Sequence, residues 1–233
     1  MKIAIHQPNY LPWLGYFYKM AESNVFVLLD SVQYEKNGLT NRVKIKTSQG
    51  SSWLTLSAKR RLSQLVREVK LANFQRDKGK HIRAIELNYR KAKYFNYLFP
   101  EIKEILEKDW QYLSKLNIEL IKLLREKLGI KTKLELASNY NISEKSTDLL
   151  VNLSKKFNAD VYLSGRGGRK YQNEKKFKMA KIKLEYLDFI HPTYPQLRGK
   201  FIPNLSIIDL LFNCGPDSLK ILLRKKYEYK QKM

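Results

Sequence analysis

Within the first seventeen residues, His6, Gln7, Asn9, Tyr10, Trp13 and Tyr16 crowd around Pro8, Pro12 and Gly15. An imidazole, two carboxamides and three aromatic rings this close together can hydrogen-bond to a small ligand and stack on it. The prolines fix φ and remove backbone donors, so Gln7 to Trp13 is expected to be a stiff extended loop, neither strand nor helix. A short apolar strand, Ile3 to Ile5, runs into it. Loops that carry polar and aromatic side chains at the end of a strand are where α/β proteins place their sites. A packed N-terminal turn with His6 hydrogen-bonded into it would use the same residues; the strand-end position favours a site.

Two further stretches carry directed polar groups. Ser164-Gly165-Arg166-Gly167-Gly168-Arg169, followed by Lys170 and Tyr171, lies after a buried-type strand, Asp160 to Leu163. Its glycines let backbone amides approach a ligand, a following helix N-terminus favours an anion, and Arg166, Arg169 and Lys170 add charge for phosphate or carboxylate. The spacing is neither a phosphate-binding P-loop nor a dinucleotide fingerprint. The stretch from Asp30 through Gln33, Asn37, Asn41 and Arg42 offers side chains that recognise amides, hydroxyls and phosphates, although Asn37-Gly38 also makes a turn unaided. His191-Pro-Thr-Tyr194-Pro-Gln196 repeats the His/Pro/Tyr style of the opening loop, as a rigid turn or a ligand contact. Ser206 and Asp209 have capping-box spacing, which makes capping their first reading and a catalytic carboxylate at Asp209 the second. His81 reads as packing, and Cys214 lacks an activating partner.

These residues need elements to hold them. Leu14 to Glu22 reads as a helix and Val25 to Leu29 as a strand ending at Asp30. Arg42 to Thr47 and Ser52 to Leu56 form a hairpin about Ser48 to Ser51, and Arg67 to Leu71 alternates like an edge strand. Residues 77–92 read as helical. Ile102, Ile105, Trp110, Leu113, Leu116, Leu120, Leu124 and Leu128 recur every three to four positions, which predicts one long amphipathic helix ended by Gly129. A strand over Lys133 to Ala137, a helix over Thr147 to Phe157, a helix from Lys170 to Ala180 and a strand over Ile182 to Phe189 complete an α/β alternation. The fold class expected is therefore α/β, a mostly parallel sheet flanked by helices, with a β-hairpin and a helical insertion. The chain divides into an N-terminal α/β half (1–75), a helical insertion (76–130), a C-terminal α/β half (131–224) and a charged tail (225–233), within one compact domain.

Composition narrows the function classes. One cysteine excludes an internal disulfide and a cysteine-based zinc cluster, and His6, His81 and His191 are too scattered for a metal triad. No apolar run reaches the ~18 residues that span a bilayer, and Met1 leads into a strand rather than a signal peptide, so a cytoplasmic location is expected. Lys plus Arg number 45 against 22 for Asp plus Glu, a formal net charge of +23. Such an excess attracts nucleic acid, anionic membrane surfaces or phosphorylated substrates. The lysines are nevertheless spread along the chain without a basic block, as biased composition would also leave them.

The run His6-Gln-Pro-Asn-Tyr-Leu-Pro-Trp-Leu-Gly-Tyr-Phe17 resembles the opening motif of the WbqC-like family. The likeness continues through Asp30, Gln33-Tyr34, Asn41-Arg42, Trp53-Leu54, Tyr162-Leu-Ser-Gly165, Tyr171, Tyr194-Pro-Gln196 and Pro203 to Gly215, in order over nearly the whole chain. Arg166, Arg169, Lys170 and Leu39 depart from the pattern, which has less basic residues after Ser-Gly and commonly an aromatic at the last position. The resemblance implies a transferase of O-antigen or other surface-polysaccharide biosynthesis, aminoacylating, for instance glycylating, an amino sugar carried on a nucleotide. Amide formation needs a base and oxyanion donors. His6 is the expected base, with Asp30 orienting it or binding the substrate amine. Arg42, Arg166 and Arg169 would hold the diphosphate, and Trp13 or Tyr10 would stack on base or sugar. An aminoacyl-tRNA donor would give the basic surface an RNA partner.

At fold level alone, the first strand, its histidine turn and the late Ser-Gly loop are similar to the HIGH-type nucleotidylyltransferases, although the His-x-x-His spacing is absent. That likeness implies the alternative of an adenylating or nucleotidyl-transferring enzyme using ATP and Mg²⁺, with His6 on an α-phosphate. A non-catalytic nucleic-acid-binding protein is the third class, marked by salt-dependent binding to unrelated RNA.

Overall fold

The computed structural model describes residues 1–36, 38–59 and 61–223. Asn37 and the charged tail expected at 225–233 lie outside the described residues. Among those described, the strands are β1 (Lys2–His6), β2 (Val25–Leu28), β3 (Arg42–Thr47), β4 (Gly50–Thr55), β5 (Ala58–Lys59), β6 (Lys70–Leu71), β7 (Lys133–Leu136), β8 (Val161–Gly165) and β9 (Lys183–Leu187). The helices are α1 (Leu14–Ala21), α2 (Phe74–Tyr89), α3 (Phe95–Glu107), α4 (Leu113–Lys127), α5 (Ser146–Lys156), α6 (Glu174–Met179) and α7 (Ile207–Cys214).

Five strands form one all-parallel sheet in the order β7-β2-β1-β8-β9. Sequence explains the placement. The central strands read Ile-Ala-Ile and Val-Phe-Val-Leu and are buried on both faces, whereas β7 and β9 carry Lys and Glu and sit at the edges. Alternate residues serve two cores. Ala4, Phe26, Leu28 and Leu163 pack with α1, α4 and α7 on one face, and Ile3, Ile5, Val25, Val27 and Tyr162 pack with α5 and Phe177 of α6 on the other.

Everything between β2 and β7 is inserted: the β3–β4 hairpin, the small β5–β6 ribbon and α2 to α4, which extend the first core. The α/β class with a separate hairpin thus follows from the sequence pattern, but three elements differ from expectation. The single long helix is two, α3 and α4, broken at residues 108–112. Trp110 keeps the apolar period, yet its Nε1–H donates to the Ile105 carbonyl at 2.7 Å and caps α3. Leu113 N–H then donates to Val69 O, tying the break to the ribbon. The expected strand over Arg67 to Leu71 is a 3₁₀ turn (Val66–Glu68) followed by only two strand residues. The helix expected from Lys170 is a 3₁₀ turn (Arg166–Lys170), with α6 beginning only at Glu174 behind the Asn173 cap, so the helix that follows the Ser164 loop does not start at it. No helix among the described residues is long and apolar enough to cross a membrane.

Candidate functional site

Numbered within the sheet alone, the strand order is 3-2-1-4-5, so the direction of winding reverses between β1 and β8. Ligands of open α/β sheets bind beyond the carboxyl ends of the strands at such a switch point. A cleft of about 990 Å³ lies there, lined by His6 and Gln7 from the end of β1, Ser164 and Gly165 from the end of β8, and Lys19 from α1. A smaller recess of about 330 Å³ adjoins it and shares Asn9, Trp13 and Leu39.

The opening loop is held by side chains from distant parts of the chain. Asn117 of α4 donates from one amide to Pro8 O at 2.8 Å and Thr40 O at 2.7 Å. Ser206 Oγ donates to Leu11 O at 2.7 Å, and Ile207 N–H donates to Pro12 O at 2.9 Å. Leu11 adopts φ +41° just before a proline, a backbone region β-preferring residues avoid, and it is fully buried. The Trp13 indole folds over Gly15, where a Cβ would come within 2.2 Å of the ring; only glycine admits that approach.

His6 Nδ1–H donates to Gln7 O at 3.1 Å, which leaves Nε2 as the acceptor, and the ring meets Tyr16 edge-on at 4.9 Å. Burial, and then the neighbouring Lys19 ammonium, lower its pKa to about 3, so the imidazole is neutral across the physiological range. Gln7 Oε1 accepts from Thr40 Oγ at 3.1 Å, and the tyrosine hydroxyl of Tyr16 is buried without a hydrogen-bond partner among the described residues. Gly168 packs where a Cβ would fall 2.2 Å from Ser164 Oγ and 2.7 Å from Gln172 Oε1, which brings the turn against the end of β8.

The cleft therefore gathers His6, Gln7, Asn9, Trp13, Gln33, Ser164, Gly165, Arg166 and Tyr171. Other residues expected at the site are placed elsewhere. Both carboxylate oxygens of Asp30 are engaged by Ser138, from N–H at 2.9 Å and Oγ at 2.7 Å, so Asp30 ties the ends of β2 and β7 together instead of orienting His6. Tyr10 is wholly buried at the wall of the smaller recess and bonded to His81 at 2.8 Å, outside the cleft that holds His6. Asn41 closes the hairpin base by donating to Leu56 O at 2.8 Å.

The three arginines do not converge. Arg42 stacks over Trp53 at 4.5 Å in the smaller recess, Arg166 pairs with Asp188 at the rim, and Arg169 lies 4.7 Å over Tyr186 outside the cleft. Tyr194, Gln196 and Asp209 belong to a buried network. In it Tyr89 OH donates to Asp209 Oδ2 at 2.9 Å, Lys46 Nζ donates to Gln196 Oε1 at 2.9 Å, and Gln196 Nε2 donates to Tyr194 OH at 3.3 Å. Burial raises the Asp209 carboxyl above its ordinary value. His191 stacks with Tyr194 and meets Phe189 edge-on, behind the cleft wall. Ser206 caps α7 as its spacing with Asp209 suggests, but Asp209 does not reciprocate: the Ser206 N–H goes to Lys44 O.

Sequence reasoning missed Lys19 and Gln172, whereas Tyr16, named with the opening loop, does line the cleft. The readable signal for Lys19 was its place three residues after Tyr16, on the apolar stripe of α1.

The model of the WbqC-like protein family matches residues 7–221. The "Uncharacterized protein Rv1507c" of Mycobacterium tuberculosis (strain ATCC 25618 / H37Rv) is 38% identical over 226 residues, covering 94% of this chain and 97% of the relative. No solved structure matches.

Proposed function

Because the chain belongs to the WbqC-like protein family, we propose that it is an enzyme of surface-polysaccharide biosynthesis, an amide-forming transferase that places an aminoacyl group, such as glycyl, on an amino sugar carried on a nucleotide. One observation carries this reading: a neutral imidazole whose Nδ1 is committed to Gln7, leaving Nε2 as a proton acceptor on a residue that lines the cleft at the sheet's switch point. The acceptor ammonium first loses a proton to solvent, and the free amine attacks the acyl carbon of an activated aminoacyl ester. As the C–N bond forms, His6 Nε2 takes the second proton from that nitrogen and passes it to the ester oxygen as the bond from the acyl carbon to that oxygen breaks. Gln7 Nε2 is a side-chain donor for the oxyanion, and the Ser164 hydroxyl, which donates to Gly165 O at 3.1 Å, would join it by turning into the cleft. An imidazole with a pKa of about 3 is a weak base, but ligand charge beside Lys19 removes one of the two causes that hold it down. The smaller recess, where Arg42 and Lys44 flank the exposed Trp53 ring, suits the nucleotide end of the substrate.

The test is to mix the protein with nucleotide-linked amino sugars and either aminoacyl esters or aminoacyl-tRNA and to follow the aminoacylated sugar by mass. His6→Ala is expected to abolish product with melting nearly unchanged; full turnover by that variant rejects the role of His6. Failure of every sugar nucleotide to raise the melting temperature rejects the substrate class.

The strand order supports one second reading, ATP-dependent nucleotidyl transfer with His6 on a phosphate. Among the described residues no three His, Cys, Asp or Glu converge on a metal position, so Mg²⁺ would arrive held by the ATP phosphates. Stabilisation by ATP with Mg²⁺ and none by sugar nucleotides would select it.

A further inference from the structure

Helix α1 turns a lysine inward. Lys19 is only 7% exposed, its Nζ donates to Ile5 O at 2.9 Å, and it stands 5.8 Å from the centre of the Phe26 ring. Burial of a charge is costly unless the charge is paired. Lys46, a second buried lysine, also lacks an ion pair, but it donates to both Gln196 Oε1 and Lys200 O and feels the attraction of Asp209. Lys19 makes no ion pair with any carboxylate among the described residues, and desolvation alone perturbs it. The difference between the two lysines is position, because Lys19 lines the cleft beside His6 and Ser164 and Lys46 does not.

We infer that the Lys19 ammonium is the anion-binding group of the cleft, and that an anionic oxygen of the ligand, phosphoryl or carboxylate, is its missing counter-ion. This rests on, and deepens, the reading of the cleft as the substrate site. A lysine presents a compact point charge, suited to a single oxygen at the foot of a cleft. His6, held neutral, does not compete for the anion. Burial lowers the Lys19 pKa to about 7, so the empty cleft holds the amine partly protonated near neutrality and an arriving anion restores its full charge. Arg166, the rim arginine, already has Asp188 as partner and is less available for the task.

The experiment titrates orthophosphate, pyrophosphate and acetate into the full chain by calorimetry, for the wild type, Lys19→Met and Lys19→Gln. At least one anion is expected to bind the wild type saturably and to bind both variants tenfold or more weakly. Lys19→Met should melt no lower than the wild type, since an isosteric apolar side chain replaces an unpaired buried charge. Lys19→Gln, which retains a donor for Ile5 O, repeats the measurement should the methionine variant fold poorly. Preference for the phosphates assigns a phosphoryl ligand, and preference for acetate a carboxylate. Equal affinity in wild type and variants, or no saturable binding of any anion to the wild type, overturns the inference. A sugar nucleotide that stabilises wild type and Lys19→Met equally overturns it while leaving the transferase reading intact. Lysine-dependent anion binding with no response to sugar nucleotides does the reverse.

Discussion

One carboxamide, that of Asn117, joins the opening loop to the insertion by donating to Pro8 O and Thr40 O from the same nitrogen. Asn117 is fully buried, so its loss leaves two carbonyls without partners where water does not reach. Asn117→Ala is expected to destabilise the protein by at least about 2 kcal/mol in urea unfolding, given about 1–3 kcal/mol for each buried group left unsatisfied. Because Pro8 carries Gln7 and Asn9 with it, ligand affinity should fall as well. A variant of unchanged stability would show that the loop does not depend on this amide.

Gly167 and Gly168 form a matched pair. A Cβ at 168 collides with Ser164 Oγ and Gln172 Oε1, whereas one at 167 meets nothing within 4 Å. Gly168→Ala should cost about 1–3 kcal/mol by overpacking and weaken anion binding through displacement of Ser164. Gly167→Ala should be close to neutral in both. Equal effects of the two substitutions in thermal melts and binding titrations would contradict the packing described.

Asp30 is predicted to matter for stability and not for proton transfer. Asp30→Ala strands the Ser138 N–H and hydroxyl and should cost about 1.5–3 kcal/mol, the usual range for hydrogen bonds to a charged group. At a temperature where the variant is folded, turnover per folded molecule should stay within a few-fold of wild type. A loss as large as that of His6→Ala would return Asp30 to the catalytic machinery.

Acid should unfold the protein through its histidines. Burial lowers His6 to about 3 and His81 to about 4, against 6.5 in the unfolded chain. The folded state therefore favours the neutral rings. The stabilisation is complete above pH 6.5 and is lost as pH falls toward the folded values, at up to about 1.4 kcal/mol per pH unit for each ring. Imidazole NMR titration should find both rings unprotonated at pH 5.5, and urea midpoints should drop between pH 7 and pH 4.5. Protonation of either ring near pH 6.5 would contradict the buried environments.

The sheet and its site loop were legible because their signals are local. Ile-Ala-Ile and Val-Phe-Val-Leu can only be central strands, and two prolines around Asn9 to Leu11 leave the chain no regular structure to adopt. The break at residues 108–112 was not legible, since Trp110 satisfies the helical period and caps a helix with the same side chain. Lys19 resembles every other surface lysine in a chain of net charge +23, and only its phase on α1 distinguishes it. Asp30, Asn41 and Asp209 have the residue types and strand-end or helix-start positions of catalytic groups. Their partners, Ser138, Leu56 and Tyr89, lie 15 to 120 residues away, and no local pattern discloses them.

The bonds from Ser206 and Ile207 to the carbonyls of Leu11 and Pro12 join the two ends of the described chain. A loop near residue 11 is thus clamped by residues about 195 positions later in the chain. A nascent chain that stops short of α7 has every side chain of the cleft but lacks the clasp for the loop that carries His6 to Trp13. Ligand recognition therefore waits on synthesis of residues 206 and 207, long after the loop itself has been made. Premature termination anywhere before residue 206 should yield protein without a working cleft.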